Sequence, residues 1–169
     1  MAEPVIIVDY NPDWVITFQN LRGQIEESLE GLPITIEHIG STSIPGAAAK
    51  PIIDIDVVLP STDTIPGAIQ LLERAGYRHL GNLGITGREA FESPALLPAH
   101  HLYLVVQGNS EHMRHLHFRD YLRSHPEETE RYSALKKSLA KRFTNDREAY
   151  TDAKSDFIEA VLRAASETP

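Results

Sequence analysis

The chain has 169 residues, 41% of them hydrophobic, which is enough to bury one sizeable core and makes a single domain the natural expectation. It contains no cysteine, which excludes disulfides, thiolate zinc sites and cysteine nucleophiles. Its 16 basic and 24 acidic residues give a formal charge of −8; such a surface repels polyanions on average and ranks nucleic-acid binding low, while a small anionic ligand needs only a few focused cations.

No run approaches the ~20 apolar residues of a membrane span. Residues 1–9 lack a basic stretch leading into an apolar one, so no export signal is visible and a cytoplasmic location is expected. In chain order, Asn11-Pro12 reads as a helix cap followed by proline at the first helical position. Trp14, Phe18, Leu21, Ile25 and Leu29 then share one helical face, and Gly31 ends the helix. The β-branched alternation of 34–39 predicts a strand, followed by a Gly/Ser/Thr/Pro loop from Gly40 to Gly46. Residues 51–59 (PIIDIDVVL) predict a second strand stopped by Pro60. Its two acids, Asp54 and Asp56, stand two apart and so project from one face. Ile65, Ala68, Ile69, Leu72 and Ala75 predict an amphipathic helix closed by Gly76. Short strands are expected around 77–80 and 88–92, and HLYLVVQ predicts a strand over 101–107. Beyond Asn109 the pattern is helical, near 111–124, 127–143 and 146–165. The fold class is α+β, with a mixed part over about 1–109 and a helical part over about 110–169.

The segment 37–56, EHIGSTSIPGAAAKPIIDID, carries the main chemical signal. Gly40 lets backbone approach a ligand closely. Ser41, Thr42 and Ser43 offer hydroxyls, and a helix starting there would offer N–H groups to a phosphate. Two carboxylates on one strand face suit Mg²⁺, a hard cation that favours oxygen ligands and substrate phosphates. A Gly-Ser turn or an Asp-x-Asp pair alone is common in purely structural settings. Their combination on consecutive strands points to chemistry, because two unpaired acids in an apolar run are costly unless a cation relieves them.

This pattern resembles the nucleotidyltransferase superfamily: an apolar residue, Gly-Ser, about a dozen residues, then Asp-apolar-Asp. The longer string GSTSIPGAAAKPIIDIDVV is similar to the GrpB family. The likeness continues through GITGREAF (84–91), HHLYLV (100–105), LHFRDYLRSHPE (116–127), YSALKKSLA (132–140) and REAYTDAKSDFI (147–158). The resemblance implies a nucleotidyltransferase-like mixed β-sheet flanked by helices, with a C-terminal helical segment. It implies a nucleoside triphosphate, ATP first, bound with Mg²⁺ or Mn²⁺, whose nucleotidyl group is transferred to an acceptor hydroxyl that the sequence does not identify. Asp54 and Asp56 would be the catalytic and metal-binding acids. Gly40, Ser41, Thr42, Ser43, Lys50, Arg88, His101, Arg119, Lys136 and Lys154 would bind substrate. One departure stands out: such enzymes carry a third carboxylate on a later strand, and here 101–107 holds none. His101 or Tyr103 takes that place, with Glu37 and Glu92 as substitutes that no spacing supports.

Lys136 shares a helical face with Tyr132, Leu135, Leu139 and Phe143, and Lys154 lies among Tyr150, Phe157, Ile158 and Val161. Lysines on apolar stripes often snorkel to water; the alternative is that both helices face the aspartate strand. Arg119 and Asp120 are adjacent on a helix and are not expected to pair. Arg119 and Arg88 fit a phosphate or a structural ion pair equally. His38 and His101 lie near enough to the aspartates to touch a ligand. Two other function classes remain: a non-catalytic nucleotide- or partner-binding domain, and a histidine metallohydrolase using His112, His115 or His117, for which no nearby acid is evident.

Overall fold

The computed structural model describes residues 3–167. Five strands, β1 (Thr35–Ile39), β2 (Ile53–Leu59), β3 (Arg78–Gly81), β4 (Arg88–Glu92) and β5 (His100–Val106), form one sheet in the order β1-β2-β5-β4-β3. β2 and β5 run parallel, and the other neighbouring pairs run antiparallel, so the sheet is mixed. The helices are α1 (Asp13–Ser28), α2 (Ile65–Arg74), α3 (Ser110–Ser124), α4 (Pro126–Arg142) and α5 (Arg147–Glu167). The α+β class is as the residue pattern predicts. Among the described residues no helix is long and apolar enough to cross a membrane.

Alternation along β2 decides what each face of the sheet carries. Ile53, Ile55, Val57 and Leu59 join Trp14, Phe18, Leu21 and Ile25 of α1 and Ala68 and Leu72 of α2 in the main core. Each Val, Leu, Ile or Phe side chain among them, once fully buried, contributes about 1.5–3 kcal/mol by leaving water. Asp54 and Asp56 therefore point to the other face. A second apolar cluster joins Leu122 of α3, Tyr132 of α4 and Val161 of α5 to Ile44 and Ala47 of the loop after β1. The same helices that cover the aspartate face thus also clamp the loop. The N-terminal segment adds a strap: Val8 pairs with Ala49, and the Val5 N–H donates to Thr144 O at 2.8 Å.

Three local readings need correction. Asn11 is not the α1 cap; the helix opens at Asp13, and Asn11 Oδ1 accepts from the Asp13 N–H at 2.9 Å in a turn just before it. β2 begins at Ile53 rather than 51, because its register partner β5 begins at His100. The helix after Asn109 opens one residue early, since Asn109 Oδ1 accepts from the His112 N–H at 2.9 Å and caps it.

Candidate active site

The site begins where β1 ends. Gly40 has φ 74° and ψ −177°, a conformation nearly restricted to glycine. A Cβ there would lie 2.5 Å from Asp54 Oδ2. Glycine therefore serves two needs at once, the backbone turn and room for the carboxylate. Gly40→Ala is expected to lower stability by about 1–3 kcal/mol, measured by urea unfolding, and to push Asp54 aside; an unchanged midpoint would count against this account. After Gly40 the chain makes only a 3₁₀ turn, Ser41–Ser43, so the helix N-terminus envisaged from sequence does not form.

The turn is pinned from three sides. His38 Nε2 and Thr42 Oγ1 are hydrogen-bonded at 2.9 Å, and the His38 ring stacks on Phe18 with centroids 4.6 Å apart. Burial, with help from the charges of Arg123 and Arg119, lowers the His38 pKa to about 4, so the ring is neutral at pH 7. The Arg123 Nε–H on α3 donates to Ser43 O at 2.9 Å. His38 thus serves the loop rather than a ligand, contrary to the sequence expectation, and Ser43 is buried with its hydroxyl donating to Gly40 O.

The two aspartates have unlike surroundings. Asp54 lines a cavity, and its Oδ1 accepts from His101 Nδ1–H at 2.9 Å, with side chains 30% and 52% exposed respectively. Asp56 is fully buried. Its Oδ2 accepts from His112 Nδ1–H at 2.7 Å and from His115 Nδ1–H at 3.0 Å. Burial alone would raise the Asp56 pKa, but the two imidazole hydrogen bonds and charges outweigh it and hold the carboxyl below its ordinary value. For His115 the balance is the mirror image: burial disfavours the charged ring, yet Asp56, Glu111 and Asp54 raise its pKa. An ionised carboxylate only accepts, so both rings must donate from Nδ1. The acid missing beside His112 and His115 in the sequence is therefore Asp56, 56 and 59 residues away. A separation of three lets His112 and His115 share a helical face, but a partner so far along the chain leaves no local signal.

The cavity has a volume of about 160 Å³ and is lined by Ile7, Ser41, Thr42, Ala49, Lys50, Ile52, Asp54, His101, Lys136, Tyr150 and Lys154. Lys136 does not snorkel to water: it is 2% exposed, donating from Nζ to Ser41 Oγ at 2.7 Å and to Ala48 O, with the ammonium 4.4 Å from the Tyr132 ring centre. Lys50 and Lys154 both lie against the Tyr150 ring, at 4.9 and 4.6 Å. Burial and then the neighbouring charges of Lys154 and Lys50 lower Lys136 to about 7. Burial and Lys50 lower Lys154 to about 8, against the pull of Asp54. Lys50 is lowered as well, first by burial and then by Arg147. Three amines whose charged forms repel one another in a semi-dry wall make a site that gains by taking an anion. Tyr150, which the sequence pattern places only among the apolar neighbours of Lys154, organises two of the lysines through its ring.

Some expected residues are not brought here. Arg119 is held by Glu37, with Nη1 to Oε2 at 2.7 Å, and by His38 O. It also pairs with its neighbour, Nε to Asp120 Oδ1 at 2.8 Å, which the adjacency argument excluded; a long guanidinium can fold back where shorter side chains cannot. Arg88 lies 4.6 Å over the Tyr103 ring and donates to Asn82 O at 3.3 Å. Neither arginine lines the cavity. The third-carboxylate position is answered by register: His101 stands opposite Asp54 and Tyr103 opposite Asp56.

A divalent cation fits this donor set. Asp54 opens to the cavity, and Asp56 Oδ1 is buried without any hydrogen-bond partner. An orphaned buried carboxylate oxygen is costly, and a hard cation is a partner that suits it. Among the described residues no group of three or more His, Asp or Glu is arranged to hold an ion by itself.

Comparison with known proteins gives the family and the fold. The family model described as "GrpB protein" matches residues 4–164. The UPF0157 protein YqkA of Bacillus subtilis is 37% identical over 157 residues, covering 93% of this chain; the chain spans 46% of that relative's length. The crystal structure of the conserved protein GrpB from Enterococcus faecalis superposes with a TM-score of 0.85 at 34% identity, covering 95% of this chain and 96% of that one. The Cid1 poly(U) polymerase bound to MgATP superposes with a TM-score of 0.58 at 15% identity, over 80% of this chain and 45% of that one. The last likeness shows a shared nucleotidyltransferase fold.

Proposed function

Because the chain belongs to the GrpB family and carries the nucleotidyltransferase fold, we propose that its cavity binds the triphosphate of a nucleoside triphosphate, ATP first, with Mg²⁺ or Mn²⁺, and that the protein transfers the nucleotidyl group to an acceptor hydroxyl. The observation that carries this reading is the meeting of Ser41, Asp54 and three lysines in one small cavity of a protein whose overall charge is −8. At about 160 Å³ the cavity is smaller than the roughly 300–1,000 Å³ of a whole-ligand pocket, so it suits the phosphate end, with the nucleoside outside.

Ser41 and Lys136, already hydrogen-bonded, hold the outer phosphates, and Lys50 and Lys154 flank them. Asp54 and Asp56 Oδ1 would hold the cation, which when bound neutralises phosphate charge and fixes the phosphate chain for attack. In the transfer the acceptor oxygen bonds to the α-phosphorus, the bond to the bridging oxygen breaks, pyrophosphate leaves, and the hydroxyl proton passes to water. Calorimetry with ATP and Mg²⁺, followed by a pyrophosphate-release assay with a pool of acceptor metabolites, is the direct test. Absence of Mg²⁺-dependent ATP binding would remove the reading. Binding without release under all acceptors would favour a non-catalytic nucleotide-binding domain, a reading supported by His101 and Tyr103 standing where a third acid is usual.

The lowered lysines give a pH signature. Lys136 and Lys154 are charged below about 7 and 8 and neutral above, so anion affinity is expected to fall as pH rises from 6 to 9. At pH 8 an incoming anion raises both pKa values, so inorganic tripolyphosphate should bind with net proton uptake. Calorimetry in two buffers of different ionisation enthalpy measures that uptake, and a value of zero contradicts the lysine assignment.

A further inference from the structure

Asp56 receives two hydrogen bonds on one oxygen and none on the other. His112 and His115, one turn apart on α3, both donate to Oδ2, while Oδ1 is buried and bare. Glu111 Oε1 lies 3.3 Å from His115 Nε2 and steadies that ring from its far edge. Charge neutralisation alone would be served as well by one imidazole, or by one donor on each oxygen. Loading a single oxygen twice has a different consequence: it fixes the rotation of the carboxylate and leaves one defined acceptor on the face of β2 that also bears Asp54.

Resting on the cation reading above, we infer that His112 and His115 are positioning residues that present Asp56 Oδ1 as a one-oxygen ligand to the divalent cation. Neither imidazole touches the ion. They act through Asp56, as hydrogen-bonded outer partners of metal ligands do, and removing such partners typically weakens metal binding by about 10–100-fold. Two contacts tie α3 to the sheet at this edge: Asp56 of β2 holds both histidines, and Glu37 of β1 holds Arg119.

The test uses Mn²⁺ as probe with a non-hydrolysable ATP analogue present, reading protein-bound Mn²⁺ by the relaxation of water protons. His112→Leu and His115→Leu are each expected to weaken Mn²⁺ binding about tenfold or more. His112→Asn and His115→Asn, whose amide nitrogen can stand near the lost Nδ1, are expected to keep most of the affinity. A purely structural role would lower unfolding temperatures but leave the Mn²⁺ affinity of folded protein unchanged. His115 is 25% exposed, so His115→Ala offers a milder variant with the same expected loss should the leucines unfold the chain. Folded variants that bind Mn²⁺ as tightly as the wild type overturn this inference alone. A wild type that takes up no Mn²⁺ overturns the cation reading and this inference together.

Discussion

Lys136→Met is expected to make the protein more stable while weakening its hold on anions. The native ammonium is almost fully buried, and its pKa of about 7 records that the fold disfavours its charge. Methionine keeps much of the aliphatic stem and needs no solvation, so stability at pH 7 should rise by about 0.5–2 kcal/mol, the usual yield when a strained functional group is relieved. The sign follows from proton counts. Between the folded value of about 7 and the ordinary 10.5, the unfolded chain binds more protons, so wild-type stability rises with pH across that window. The advantage of the methionine variant is therefore full below pH 7 and shrinks as pH approaches 10.5. Urea unfolding at several pH values measures it. Tripolyphosphate or ATP affinity should fall by about 10–100-fold, the loss of one charged hydrogen bond of roughly 1.5–3 kcal/mol. A variant that is less stable at pH 6 and binds anions normally would show Lys136 to be a structural residue.

Asp54→Asn should separate binding from folding in the opposite way to its neighbour. The amide keeps the shape that Gly40 accommodates and an oxygen for His101, and the side chain is partly exposed, so stability should change little. The loss of a direct cation ligand should weaken Mg²⁺-dependent ATP binding by at least about 100-fold, beyond what outer partners contribute. Asp56→Asn should cost stability too, by about 3–5 kcal/mol, because it breaks the buried pairing with His112 and His115. Calorimetry on both variants, with unfolding curves alongside, resolves the pair. Equal Mg²⁺ dependence in Asp54→Asn and wild type would end the metal role of Asp54.

Much of the fold was legible because it rests on short-range periods. The faces of α1 and α2, the strand β5 and the shared side of Asp54 and Asp56 all follow from spacings of 3.6 or 2. The helical wheel also put Lys136 and Lys154 on apolar stripes. It could not give depth: whether a lysine on such a stripe reaches water depends on what packs over it, and for Lys136 that is the loop carrying Ser41 and Ala48. The arginines show the same limit. Arg119 could serve a phosphate or an acid until β1 brought Glu37 to it across 82 residues, and Arg88 until Tyr103 rose beneath it from β5.

By itself the sequence determined the class of fold, the paired acids and the glycine-serine turn, since each is written within a few residues by backbone geometry and side-chain alternation. The tertiary structure alone decided that the acids are unequal, one open to a lysine-walled cavity and the other sealed under two histidines. The physical reason is that desolvation and pairing are set by whatever covers a group, and α3, α4 and α5, which cover this face, come from the far end of the chain.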